Sequence, residues 1–73
     1  MRNVTVRQLR TFAAVLRCGS FAAAAQALHL TPPAVTLQMR QLELAAGLPL
    51  LERTGARLEP TQAGQEIAST ARR

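Results

Sequence analysis

The chain has no Asp, Lys, Tyr or Trp, and it carries a single His, a single Cys and two Phe. An enzyme needs convergent reactive groups, and His29 with Cys18 would be the only base and nucleophile on offer. A lone His just ahead of a helix cap reads as a structural or surface residue. A Cys near a helix end reads as a small packing residue. Zinc-finger ligands are missing, as is any glycine-rich phosphate loop, so no catalytic residue, metal or cofactor is expected. One thiol permits no internal disulfide and suits a reducing compartment. No apolar run reaches 18 residues and none follows a charged start near Met1, so neither a membrane span nor a signal peptide is expected and the chain is placed in the cytoplasm.

What is present is arginine. All 9 basic residues are Arg and all 4 acids are Glu, for a net charge of +5. Residues 1 to 42 hold Arg2, Arg7, Arg10, Arg17 and Arg40 with no acid, whereas from Glu43 onward the two signs balance. A basic half on a chain of pI near 11.7 is the electrostatic footprint of a partner bearing phosphates. Arginine also makes bidentate contacts that lysine does not, although genomic codon bias produces the same composition. A chain of 73 residues suffices for one small domain that buries only about 60% of its unfolded surface.

Apolar spacing organises the chain into helices. Leu9, Phe12, Ala13 and Leu16 recur at i, i+3, i+4 and i+7, which predicts a helix from about Thr5 to Arg17. Gly19 can end it in the left-handed conformation, and Ser20 can cap the next, "FAAAAQAL", whose alanines allow close helix crossing. Thr31 is the N-cap candidate for a third helix. Pro32 drives the preceding residue out of the helical region, and Pro32 and Pro33 fall where N–H groups have no internal partner. Val35, Met39, Leu42 and Ala46 form the inner stripe of this helix, leaving Thr36, Leu37, Gln38, Arg40 and Gln41 outside. Gly47 and Pro49 stop it. "LPLLER" and "RLEPT" flank "TGA" and read as two strands about a turn at Gly55. Thr61 then caps a last helix in which Ile67 is the only large apolar residue, as if cut from something longer.

Helix, tight turn, short helix, sharply started third helix and strand pair make a mainly α winged helix-turn-helix. In that arrangement the first turns of the third helix enter a DNA major groove. The helix dipole and free N–H groups there favour phosphate, and side chains reach base edges. The candidate residues are Thr31, Pro32, Pro33, Thr36, Leu37 and Arg40.

The segment "RQLRTFAAVLRCGSFAAAAQALHLTPPAVTLQMRQLELAAGLPLLERTGARLEPTQAG" resembles the N-terminal DNA-binding domain of LysR-type transcriptional regulators. The resemblance rests on the "QL.TF" first helix, the "GSFAAAAQALHL" corner, the "PAVT.Q...LE" recognition helix, the "G..LLER" entry to the wing and "PTQAG" at the last helix. It implies a winged helix-turn-helix over 1–60 and the start of a truncated linker and dimerisation helix over 61–73, with the effector-binding domain absent from this chain. It also implies double-stranded promoter DNA as partner and a homodimer through the last helix, or a homotetramer at full length. The recognition helix, 31–46, would occupy the major groove and the wing, 50–60, would lie near the minor groove. Thr31, Pro32, Pro33, Thr36 and Leu37 match DNA-touching positions, and Arg53 and Arg57 flank the wing where the family places basic residues. Pro32 and Leu37 replace residues that are commonly polar in the family, so base readout would lean on apolar contact, for instance with thymine methyl groups, and on DNA shape. The wording "LTPPAVTLQ" is similar to that of regulators of carbon-fixation operons. A winged-helix protein-interaction module, with the arginines as a solvated face, is the alternative.

Overall fold

Each helix begins where a side-chain oxygen captures an early backbone N–H. Thr5 caps α1 (Val6–Cys18), with Gln8 N–H donating to Thr5 Oγ1 at 3.1 Å and Thr5 N–H returning the bond to Gln8 Oε1 at 3.2 Å. Such reciprocal caps satisfy two otherwise orphaned donors. Ser20 caps α2 (Phe21–Leu28) through Ala23 N–H, and Thr31 caps α3 (Pro32–Ala46) through Ala34 N–H. A hairpin of β1 (Leu51–Thr54) and β2 (Arg57–Pro60) follows, and then α4 (Gln62–Ala71). These elements belong to a computed structural model that describes residues 4–71, so Arg2, Arg72 and Arg73, and with the last two the end of the expected linker helix, lie outside the described residues.

The mainly helical architecture with a two-stranded antiparallel sheet is the one expected from the sequence. α1 is the central element and packs against α2, α3 and α4. Phe12, Val15, Val35, Met39, Leu42 and Leu50 supply the buried bulk, and Ala24 and Ala25 let α2 approach closely. Fully burying each large side chain stabilises by about 1.5–3 kcal/mol.

Two details differ from the sequence reading. The buried face of α1 runs one residue earlier than the apolar stripe: Gln8, Thr11, Phe12 and Val15 are buried, as is Ala14, while Leu9, Ala13 and Leu16 are half-buried. Polar residues occupy the inward positions because hydrogen bonds satisfy them there. The first strand is also shorter than "LPLLER". Leu50 and Leu51 donate their N–H groups to Glu43 Oε2 at 2.8 and 3.3 Å, so a carboxylate on α3, rather than a partner strand, holds the entry to the wing. Pairing then runs from Leu51 opposite Pro60 to Thr54 opposite Arg57, closed at Gly55, whose φ of 64° is easy only for glycine.

α4 is anchored at its start. Thr61 N–H donates to Leu50 O at 3.1 Å, Thr61 Oγ1 donates to Pro49 O at 2.7 Å, and Gly64 N–H donates to Thr61 Oγ1 at 3.1 Å. Ile67 is only half-buried, and the close contact is made by Gly64 and Ala68. A Cβ on Gly64 would overlap the Leu50 carbonyl and press on the Phe12 ring.

Candidate nucleic-acid interface

The first turns of α3 point away from the core. Thr31, Pro32, Pro33, Thr36, Leu37 and Arg40 are all exposed, Leu37 by 55%, while Val35, Met39 and Leu42 on the opposite side are sealed.

Two polar rungs fix how this helix is turned. The buried Thr11 hydroxyl donates to Gln38 Oε1, and Gln8 Nε2 donates to Gln41 Oε1 at 3.3 Å. The rungs are three residues apart on both helices, and they bind the sequence neighbours of Leu37 and Arg40. Directional bonds at two levels resist rotation in a way that apolar packing, being non-directional, does not. Gln38 is thereby drawn half-buried against α1, whereas Gln41 stays exposed, as its place off the apolar stripe implies, while accepting from Gln8.

The tip of α3 is poor in hydrogen-bond donors. Pro32 and Pro33 have no N–H. Ala34 and Val35 direct theirs to Thr31 O, at 3.0 and 3.2 Å, and from Thr36 onward they belong to the helix ladder. The Thr36 hydroxyl donates to Pro32 O at 3.1 Å. The expectation that free N–H groups at this helix start would attract phosphate is thus overturned, because the prolines delete two and the cap consumes the next two. Attraction for phosphate falls to the helix dipole and to arginine side chains.

Those arginines include two that the motif reading had not assigned to the site. Arg7 shares a groove with Val6, Leu37, Gln38 and Gln41, and Arg10 joins it in a neighbouring groove beside Gln38. Their clue in the sequence was their place off the apolar stripe of α1. At the wing, residues that face each other across the hairpin share a side of it. Arg53, opposite Leu58, lies on the side whose leucines pack on the core. Arg57, opposite Thr54, lies on the other side with the facing pair Glu52 and Glu59. Arg57 Nε is 4.0 Å from Glu59 Oε1, the single ion pair among the described residues. Arg53 and Arg40 are exposed with no such partner, whereas Arg57 shares its side of the hairpin with two glutamates, although its 4.0 Å contact with Glu59 is screened by solvent, the guanidinium being 82% exposed.

His29 and Cys18 sit at the ends of two different helices. His29 terminates α2 in the left-handed region at φ 58°, with its N–H directed to Ala25 O and Gln26 O, and Cys18 closes α1 half-buried. No group of three or more potential metal ligands occurs among the described residues. No helix there is long and apolar enough to cross a membrane.

A helical corner that presents the start of its third helix, followed by an antiparallel ribbon, defines a winged helix-turn-helix protein. Residues 6–65 match the family described as bacterial regulatory helix-turn-helix protein, lysR family, and the chain belongs to that family. It is 49% identical over 69 residues to the RuBisCO operon transcriptional regulator of Acidithiobacillus ferrooxidans and 52% identical over 69 residues to the HTH-type transcriptional regulator CbbR of Xanthobacter flavus. Each match covers 94% of this chain but only 22% and 21% of those regulators, so the chain spans about a fifth of their length. Among crystal structures, the CbnR DNA-binding domain in complex with DNA superimposes with a TM-score of 0.86 at 44% identity, covering 93% of this chain and 78% of that one.

Proposed function

We propose that the chain is the DNA-binding domain of a LysR-type regulator, which holds double-stranded promoter DNA sequence-specifically to control transcription. In this reading α3 occupies the major groove and the hairpin reaches toward the minor groove. The observation that carries it is the outward start of α3, where Thr31, Pro32, Pro33, Thr36, Leu37 and Arg40 are exposed beside arginines without acid partners. Thr36, Leu37 and the prolines meet base edges, Arg7, Arg10, Arg40 and Arg53 hold phosphates, and Arg57 contributes less. The segment 61–73 begins a linker helix through which two copies pair, four at full length, ahead of an effector-binding domain. The regulator works in the cytoplasm at the bacterial nucleoid. Relatives named for RuBisCO operons support a carbon-fixation promoter as its target.

Binding measured by fluorescence anisotropy against salt tests this. With about five phosphates neutralised per protomer, log K falls against log[salt] with a slope of about −4 to −5. A flat response overturns the assignment. Arg53→Ala weakens binding to every duplex and flattens the slope by about one unit, and Arg57→Ala does so to a smaller extent because two glutamates share its side of the hairpin.

A further inference from the structure

We infer that the tip of α3 recognises its site by the C5 methyl groups of thymine, with Leu37 as the principal specificity-determining residue. The inference rests on the DNA-binding reading above and narrows it to one chemical feature of the DNA.

A major groove offers a protein three kinds of contact: acceptors on guanine, adenine and thymine, amino donors on cytosine and adenine, and the thymine methyl. Reading guanine takes donors, and the tip of α3 has spent nearly all of its own. Residues 32 and 33 have no N–H, those of Ala34 and Val35 are bonded to Thr31 O, and the Thr36 hydroxyl is turned back onto Pro32 O at 3.1 Å. With its hydroxyl turned inward, Thr36 has its methyl left for contact. Beyond the Thr31 hydroxyl, what the tip exposes is the two proline rings, the Thr36 methyl and the Leu37 side chain, the last 55% exposed in a groove shared with Val6, itself 70% exposed. Arg7 lines the same groove and Arg40 lies one turn further along α3, so the apolar patch has cationic groups beside it, as a surface seated between phosphates requires.

Two consequences follow from unmet hydrogen bonds and buried methyl groups. A guanine directly beneath the prolines and Leu37 would lose water from O6 and N7 and gain no donor from them, which selects against it there. A thymine there loses no hydrogen bond through its methyl and gains contact with Leu37. The rungs from Thr11 and Gln8 hold the helix rotation that keeps Leu37 aimed at the same base step.

The test begins with this chain enriching a randomised duplex pool. The selected duplex is then resynthesised with deoxyuridine in place of each thymidine in turn, which removes one methyl and keeps the base pair. At one or two positions per half-site the substitution weakens binding about fourfold, the effect of one buried methyl. Leu37→Ala lowers affinity for the thymidine duplex and abolishes the difference between the two. The inference is overturned if uridine substitution is silent at every position, if the Leu37→Ala variant keeps the full thymidine preference, or if guanine is enriched under the tip. It is also overturned if duplex DNA binds at low salt but no sequence is enriched. Failure to bind any duplex at low salt would instead sink the DNA-binding reading on which it stands.

Discussion

Two threonine-capped helix starts, at Thr31 and Thr61, use the same chemistry to opposite ends. At both, a threonine oxygen accepts from the N–H three residues on. At Thr61 the hydroxyl also donates to Pro49 O, its own N–H goes to Leu50 O, and Gly64 brings the helix backbone against Leu50. At Thr31 the hydroxyl donates to no acceptor among the described residues, and the next two residues are exposed prolines. One start is fastened inward, backbone against backbone. The other needs only its cap and leaves every outward side chain free to vary. Of these two starts, the one at Thr31 is thus expected to tolerate substitution with little loss of stability, and the one at Thr61 is not.

The contrast breaks most visibly at Gly64. Gly64→Ala places a methyl against a backbone carbonyl that has nowhere to retreat, and a loss of about 3 kcal/mol is expected. Against a total stability on the order of 5 kcal/mol for a domain this small, that loss leaves a large unfolded fraction in urea titration followed by circular dichroism. A change below about 1 kcal/mol would show that α4 is loosely seated.

The two caps can be compared directly. Thr61→Ala removes a part-buried cap together with a hydrogen bond to Pro49 O that is open to water, for an expected cost of about 2 kcal/mol. Thr31→Ala removes a cap alone, at about 1 kcal/mol. Equal costs in thermal unfolding would erase the distinction drawn between the two starts. The smallest effect is expected at the turn leading into Thr31. His29 holds a left-handed conformation that glycine adopts without steric cost, so His29→Gly is expected to stabilise by about 0.5 kcal/mol, seen as a small rise in Tm. A fall in Tm would mean that the His29 side chain contributes contacts that outweigh the strain.

Much of this was legible in the sequence because it is local. Caps at Ser20, Thr31 and Thr61, stops at Gly19 and Gly47, and the Val35, Met39, Leu42 stripe depend on neighbours within a turn or two, and all appear as read. What escaped depends on partners distant in the chain. The Thr11 to Gln38 and Gln8 to Gln41 bonds span 27 and 33 residues, so apolar periodicity places the buried face of α1 one position late and sets Gln38 in solvent, where it is half-buried. Glu43 as the clasp of Leu50 and Leu51, and Gly64 as the seat of α4, likewise follow from approach in space. At the candidate site, the exposure of Thr36, Leu37 and Arg40 was legible from their place off the inner stripe of α3, whereas Arg53 and Arg57 rested on the resemblance alone. The exhaustion of donors at the tip was not, since it requires knowing where each N–H and the Thr36 hydroxyl is directed. That Arg53 shares its side with Leu58, and Arg57 its side with Glu52, requires the register of the hairpin.

Amide chemical-shift mapping reaches the central claim most directly. The uniformly 15N-labelled chain would be titrated at low salt with a duplex enriched on it, and each backbone signal followed. If the start of α3 enters the groove, the largest changes fall on Ala34 to Arg40 and on the hairpin around Arg53, with Gly64 to Thr70 little affected. Changes concentrated on α4, with the α3 signals unmoved, would contradict it and identify the last helix as the binding surface.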